Sequence, residues 1–254
     1  MSNAWQRPPE RVRLSPDYID VWRIPQNLDQ DQLEQYRAIL SGDELERCDR
    51  FKSEQRRREF IIGRGTLRTL IGQHLALDPS TFEFAYSEHQ KPCLSTTVTG
   101  PTVAFNLTHS HGLVLIALTL ERRIGIDIEY LRPDVDFRKL ARRFFSKQES
   151  QSLEAYPDAY LPAAFFACWT RKEALLKAIG AGIAFGLRDF SVSVDPLERE
   201  VELHTHWDQA EAARWSILNL DLEQDYAAAV AASGSNCKLR CWDLNRSNNR
   251  SGVD

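Results

Sequence analysis

The chain has 254 residues, a net charge of −4, 43% hydrophobic and 10% aromatic residues. That length fits one large domain or two small ones, and the apolar content excludes wholesale disorder. The longest apolar run, Leu113 to Leu120, falls far short of the ~20 residues of a membrane helix, and no apolar leader opens the chain, so a soluble cytoplasmic protein is expected.

In chain order, residues 28–51 read as helix, with Asp29 and Asp31 in an acidic first turn and Leu33, Tyr36, Ile39 and Leu40 at helical spacing. Ser41 and Gly42 break it. Ser41 stands three residues before Glu44, the spacing of a capping box that starts the next helix. A long helix is predicted from Ser53 to Leu75, ended by Asp78 and Pro79. Short strands follow at Phe82–Phe84 and Val103–Phe105, the latter leading into a polar turn from Asn106 to His111. Leu113–Leu120 reads as a buried strand, and Ile124, Ile126 and Ile128 alternate on the next. Helices are expected at Phe137–Phe144, Lys147–Glu154 and Leu161–Ile179. Strands are expected at Phe190–Val194, Trp215–Leu220 and Tyr226–Ala232, and a polar, disordered tail from Asn245 to Asp254.

A shift of 108 residues superposes Arg64 on Lys172, Leu67 on Leu175, Ile71 on Ile179, Gly72 on Gly180 and Phe82 on Phe190. The order of elements repeats with it: long helix, Phe-containing strand, buried apolar strand. The expected fold class is α+β, a pseudo-two-fold pair of similar α/β subdomains in one chain. The halves are drawn at residues 1–121 and 122–244, with 245–254 as the tail.

Charge is unevenly spread. Arg47 to Arg68 holds eight Lys/Arg against three Asp/Glu, whereas Asp195 to Asp225 holds nine acids against two arginines. A basic segment in an acidic chain suggests a confined anion site rather than a nucleic-acid track, with a solvated helix face as the plainer alternative. The five scattered cysteines lack a Cys-x-x-Cys pair and read as buried or incidental thiols.

Three motifs carry chemistry. In Ile124-Gly-Ile-Asp-Ile-Glu129 the strand alternation sends the isoleucines to the core and both carboxylates to the opposite face. Two acids so placed repel unless a cation sits between them, for which a hard divalent ion is a natural candidate. A solvated sheet face is the open alternative. In Trp169-Thr-Arg-Lys-Glu-Ala174 the helix is apolar over most of its girth. Glu173 and Lys177 are one turn apart there, either as an ordinary i,i+4 pair or as a metal ligand or base beside a phosphate contact. Phe105 to Gly112 brings hydroxyls, histidines and turn amides together, a set that can hold phosphate. A hydrolase triad fits poorly, because Ser110 is flanked directly by His109 and His111 and no Gly-x-Ser-x-Gly elbow exists.

The ordered set Phe105-Asn-Leu-Thr-His-Ser110, Ile124 to Glu129, and Trp169 to Ala174 with Lys177 and Gly180-Ala-Gly182 resembles the 4′-phosphopantetheinyl transferases. The likeness is to the larger, pseudo-dimeric kind typified by the surfactin-synthetase activator. Phe144 to Glu149 and Lys91-Pro92 also fit, so the resemblance spans roughly residues 40–195. It implies transfer of the phosphopantetheine arm of coenzyme A to a serine of an apo acyl or peptidyl carrier protein, releasing adenosine 3′,5′-bisphosphate. It further implies that Asp127, Glu129 and Glu173 hold Mg²⁺ and that Lys177 contacts or protonates the leaving phosphate. A serine hydroxyl needs a base, for which Glu173 is the first candidate and a water on Glu129 the second. Lys91, Thr108, His109, Arg58 and Arg64 would bind the nucleotide end. Departures are Thr108 in place of serine, Gln90 before Lys91-Pro92 in place of glycine, and Glu44 where relatives often carry lysine, which leaves Arg47 as that helix's candidate. Arg138, Lys139, Arg142 and Arg143 form a basic helical face expected to dock the acidic carrier, with a solvated face as the alternative. A monomer that binds neither membrane nor nucleic acid is expected. A metal-dependent nucleotide hydrolase and a non-catalytic coenzyme A-binding module are the rival classes. The second has no use for a base beside metal-type carboxylates.

Overall fold

A computed structural model describes residues 4–88, 91–95, 101–180, 186–205, 209–223 and 225–244. The expected tail, Gly182 and Gln90 lie outside these residues. The chain opens with strand β1 (Tyr18–Pro25) and three helices, α1 (Gln30–Ala38), α2 (Gly42–Asp49) and α3 (Glu54–Leu75). A short hairpin, β2 (Phe84–Tyr86) and β3 (Pro92–Leu94), precedes a long one, β4 (Val103–Ser110) and β5 (Leu113–Leu120). The second half repeats the order with β6 (Ile124–Tyr130), α4 (Phe137–Phe144), α5 (Lys147–Glu154) and α6 (Leu161–Ile179). It continues through β7 (Phe190–Val192), β8 (Glu200–Val201), β9 (Leu203–Thr205), α7 (Gln209–Ala212), β10 (Trp215–Asn219) and β11 (Tyr226–Ser233). A last strand, β12 (Lys238–Asp243), follows.

Two four-stranded sheets result, ordered β12-β1-β5-β4 and β6-β11-β10-β8. The antiparallel run β1-β5-β4 in one matches β6-β11-β10 in the other. The fold is therefore α+β with two sheet-containing subdomains, as the repeat suggested. β5 sends Val114, Ile116 and Leu118 toward the first-half core and Leu115 and Ala117 into a layer shared by both sheets. Ile124, Ile126 and Ile128 of β6 and Ala228, Val230 and Ala232 of β11 enter that same layer. A strand buried on both faces has no polar side to show, which explains the unbroken apolar run at Leu113–Leu120.

The two short capped helices are built alike. In α2 the Ser41 amide donates to the Glu44 carboxylate at 3.1 Å, and in α5 the Ser146 amide donates to Glu149 at 2.8 Å. Each glutamate then meets a cation from the long helix behind it: Arg68 at 2.6 Å from Glu44 and Lys172 at 2.7 Å from Glu149. Each cation also donates to a phenylalanine carbonyl, Phe82 for Arg68 at 2.9 Å and Phe190 for Lys172 at 2.6 Å. Phe82 and Phe190 are the residues superposed by the 108-residue shift.

Two expectations need correction. The stretch Asn106 to Ser110 is not a turn but the continuation of β4, and only His111 and Gly112, at φ 46° and 87°, make the hairpin loop. Two left-handed residues are what a tight hairpin requires, so the polar side chains before them belong to the strand. Phe82 precedes β2 rather than starting it. The break expected at Ser41 divides α1 from α2. Strands β1 and β12, which pair in parallel, have no counterpart in the expected elements. Asp20 and Arg240 face each other in that register and bond at 2.7 Å, with Trp242 donating to the same carboxylate at 2.8 Å.

Candidate functional site: a carboxylate centre beside a cationic cleft

Helix α6 crosses β6 at Gly125. A Cβ there would lie 2.1 Å from the Ala174 carbonyl and 2.4 Å from the Ala178 amide, so only glycine permits the approach. The contact sets the α6 face bearing Glu173 and Lys177 over the β6 face bearing Asp127 and Glu129. The strand alternation and the one-turn spacing of the helix pair thus converge on one place.

Lys177 anchors the centre. Its Nζ donates to Asp127 Oδ1 at 2.6 Å, to the Ile126 carbonyl at 3.1 Å and to Thr108 Oγ1 at 3.4 Å. Asp127 is only 6% exposed, and its second oxygen, Oδ2, is buried with no hydrogen-bond partner. Burial pushes the Asp127 carboxyl up despite the Lys177 ammonium, because desolvation outweighs one ion pair. Burial, with Asp127 as the next cause, also raises Glu129 and Glu173. Among the described residues no three acids, histidines or cysteines are arranged as a ready metal cage, and the cation seated here is Lys177. The donor set nonetheless suits a hard divalent ion: three carboxylates that repel one another and one buried oxygen lacking a partner.

The edge of β4 sews the first half onto β6. Asn106 Oδ1 accepts from the Ile126 amide at 2.8 Å, and Ser110 Oγ accepts from the Tyr130 amide at 3.1 Å. Between them Thr108 Oγ1 lies 3.3 Å from Asp127 Oδ1. Positions 106 and 110 therefore satisfy amides of an edge strand that would otherwise expose them, and position 108 meets its Asp127 side chain. The neighbouring residue, His109, points to the other side, where its Nδ1 lies 3.6 Å from Glu59 Oε2.

On that side a cleft of about 340 Å³ opens between α2, α3 and β4. Arg47, Arg56 and Arg64 line it with Glu59, His109 and Phe60. Arg64 is 8% exposed, and burial lowers its pKa. Its Nη2 donates to Tyr86 Oη at 3.4 Å, Glu44 lies 3.8 Å from its Nε, and its Nη1 is buried without a partner. A guanidinium held against the Phe60, Phe84 and Tyr86 rings with an unused donor is suited to an oxyanion. Arg56, Glu59 and Phe60 were not singled out from sequence. The signal was present, since 56, 59, 60, 63, 64 and 67 form one stripe at helical spacing.

Two other expected nucleotide contacts are engaged elsewhere. Arg58 donates to the Gln26 and Leu28 carbonyls, away from the cleft-lining residues. Lys91 Nζ donates to the Ile124 and Lys177 carbonyls, each at 2.7 Å, fastening the last turn of α6 to the start of β6. Burial, reinforced by Arg123, brings the Lys91 pKa down to about 8. On the basic face of α4, Arg142 pairs with Glu154 at 2.9 Å and Arg138 with Asp158 at 2.8 Å. The neutralised pairs leave Lys139 and Arg143 as the part of that face without a described ion pair.

Known proteins share this chain's sequence along most of its length. Residues 123–231 match the family model of the 4′-phosphopantetheinyl transferase superfamily, and residues 26–121 match that of the 4′-phosphopantetheinyl transferase N-terminal region. The 4′-phosphopantetheinyl transferase HetI of Nostoc sp. is 38% identical over 242 residues, covering 95% of this chain and 99% of the relative. The 4′-phosphopantetheinyl transferase Sfp of Bacillus subtilis is 32% identical over 165 residues, covering 65% and 71%. A putative 4′-phosphopantetheinyl transferase of Synechocystis sp. is 36% identical over 167 residues, covering 66% and 67%.

Proposed function

In a chain that belongs to the 4′-phosphopantetheinyl transferase superfamily and is a transferase of the Sfp type, we propose that the donor is coenzyme A and the acceptor a serine of an apo carrier protein. Adenosine 3′,5′-bisphosphate leaves, and the reaction depends on Mg²⁺. The observation that carries this reading is the adjacency of two opposite sites across one strand: Thr108 of β4 at the carboxylate centre, His109 at the cationic cleft.

The cleft side chains Arg47, Arg64 and His109 hold the phosphorylated nucleotide end, with the unused Arg64 donor supplying a charge-assisted hydrogen bond. The pantetheine pyrophosphate then extends past β4 toward Asp127, Glu129 and Glu173. A divalent ion held by those carboxylates would polarise the phosphate under attack and offset charge on the leaving group. Phosphoryl transfer relies mainly on such positioning and charge stabilisation. Glu173, raised by burial and by Asp127, takes the proton of the attacking serine hydroxyl. Lys177, within reach of the same centre, places its ammonium beside the leaving oxygens. Arg58 and Lys91 serve by fastening the elements that carry this machinery, through the carbonyls they hold.

Incubating the protein with coenzyme A, Mg²⁺ and several apo carrier proteins tests the whole reading. Mass spectrometry should show the phosphopantetheine arm on serine and chromatography should show adenosine 3′,5′-bisphosphate, both abolished by a chelator. Coenzyme A cleavage without a carrier protein, or transfer undiminished by chelation, would overturn it.

A further inference from the structure

The seat of Lys177 has the make-up of a cation site. Its ammonium has three donors, and all three are used on hard oxygens: the Asp127 carboxylate, the Ile126 carbonyl and the Thr108 hydroxyl. Asp127 is buried, so its ionised form needs a compensating charge close by. Lys177 is one that the fold itself supplies, and it reaches in from the last turn of α6, just before the left-handed Gly180 cap. Its side chain is 31% exposed, so the head group has an open path out of the seat.

We infer that Lys177 is the resident counter-ion of Asp127 in the metal-free protein, and that a divalent ion reaches Asp127 only as Lys177 moves off. This rests on the reading that Asp127 ligates a divalent ion. A divalent ion on the unpartnered Asp127 Oδ2 would lie close to an ammonium held on Oδ1, and two cations on one buried carboxylate repel strongly. An anionic group arriving at the centre offers Lys177 another partner, so binding of the coenzyme's pyrophosphate and binding of the metal favour one another. By linkage the coupling is reciprocal. The protein thereby keeps Asp127 paired when no substrate is present.

Mn²⁺ alone, titrated into the full-length metal-free chain and followed by electron paramagnetic resonance, tests this without any turnover. Asp127→Asn should abolish tight binding; if it does not, the divalent site is wrongly placed and the underlying reading fails with it. Lys177→Met should bind Mn²⁺ about 10-fold more tightly than the unaltered chain, within the usual range of coupling between sites. Lys177→Gln, which keeps a polar head without the charge, repeats the measurement should the methionine variant fold poorly. Arg132→Met removes a cation that acts on Glu129 without a contact to Asp127, and it should gain clearly less. Mn²⁺ affinity in both Lys177 variants equal to or weaker than that of the unaltered chain overturns the inference. So does an equal gain in Arg132→Met, which would show a general field rather than an occupied seat.

Discussion

Helices α3 and α6 hold corresponding places in two similar halves, yet they carry opposite chemistry. Behind each stands the same device: a serine-capped helix, a buried glutamate, a cation from the long helix, and a phenylalanine carbonyl. In front, α3 turns Arg56 and Arg64 toward a cleft, while α6 turns Glu173 toward buried carboxylates. The parts that hold each half together are duplicated, and the faces left free of that duty have diverged. On the proposed reading one half supplies an anion site and the other a cation site, and β4 divides them with Thr108 on one side and His109 on the other.

The sharpest test of that division is asymmetric. Glu173→Gln should slow transfer to carrier protein by ~10²- to 10⁴-fold, the usual worth of a positioned base, with the far-ultraviolet circular dichroism spectrum unchanged. Glu59→Gln, on the cleft face of α3, should leave the rate within a small factor. A variant at Glu173 that kept the full rate would remove the base from the second half. The shared device should respond alike in both halves. Arg68→Met and Lys172→Met each strand a buried glutamate and should each cost about 3–5 kcal/mol in urea unfolding. A large loss in one half alone would show that the resemblance behind the helices is geometric rather than energetic. Next in size, Arg64→Met should raise the KM for coenzyme A by ~10- to 100-fold with kcat little changed, as loss of a charge-assisted bond made equally in ground and transition states predicts. A fall in kcat instead would move Arg64 into the chemistry.

Much of this was legible in the chain. Periodicity located α4, α5 and α6 at their observed bounds, because each is an amphipathic or buried run with a clear end signal, Asp136, Ser146 and Gly180 respectively. Ser41 with Glu44 announced the α2 cap. Spacing placed the two carboxylates on one strand face and Glu173 one turn from Lys177, since strand period 2 and helix period 3.6 fix which side chains share a face. The family resemblance supplied their expected roles. What escaped was non-local. β1 and β12 are separated by most of the chain, and nothing near Asp20 reveals that Arg240 will lie opposite it. Asn106, Thr108 and Ser110 looked like a turn because they are polar. They are strand residues whose polarity serves the amides of another strand. Lys91 and Arg58 looked like free cations, and the carbonyls that claim them come from elements distant in sequence.

The smallest expected effect concerns pH, and it centres on the second half. There burial lifts Asp127, Glu129 and Glu173 above the usual carboxylate values. A raised folded-state pKa means that the native chain holds protons the unfolded chain has released. Stability of the metal-free protein therefore declines as pH rises from the unfolded carboxylate range through the raised folded values, and levels off above them. Urea unfolding at about pH 5 and about pH 7.5, either side of the range into which buried carboxyls are commonly shifted, should show the unaltered chain weaker at the higher pH. Asp20, also raised by burial, contributes equally in every variant and cancels in comparison. Glu129→Gln and Glu173→Gln should each flatten the dependence, because the amide has no proton to exchange. If both second-half variants kept the full slope, the pH sensitivity would belong to the shared frame, and the electrostatic division between the halves would have to be redrawn around Asp20.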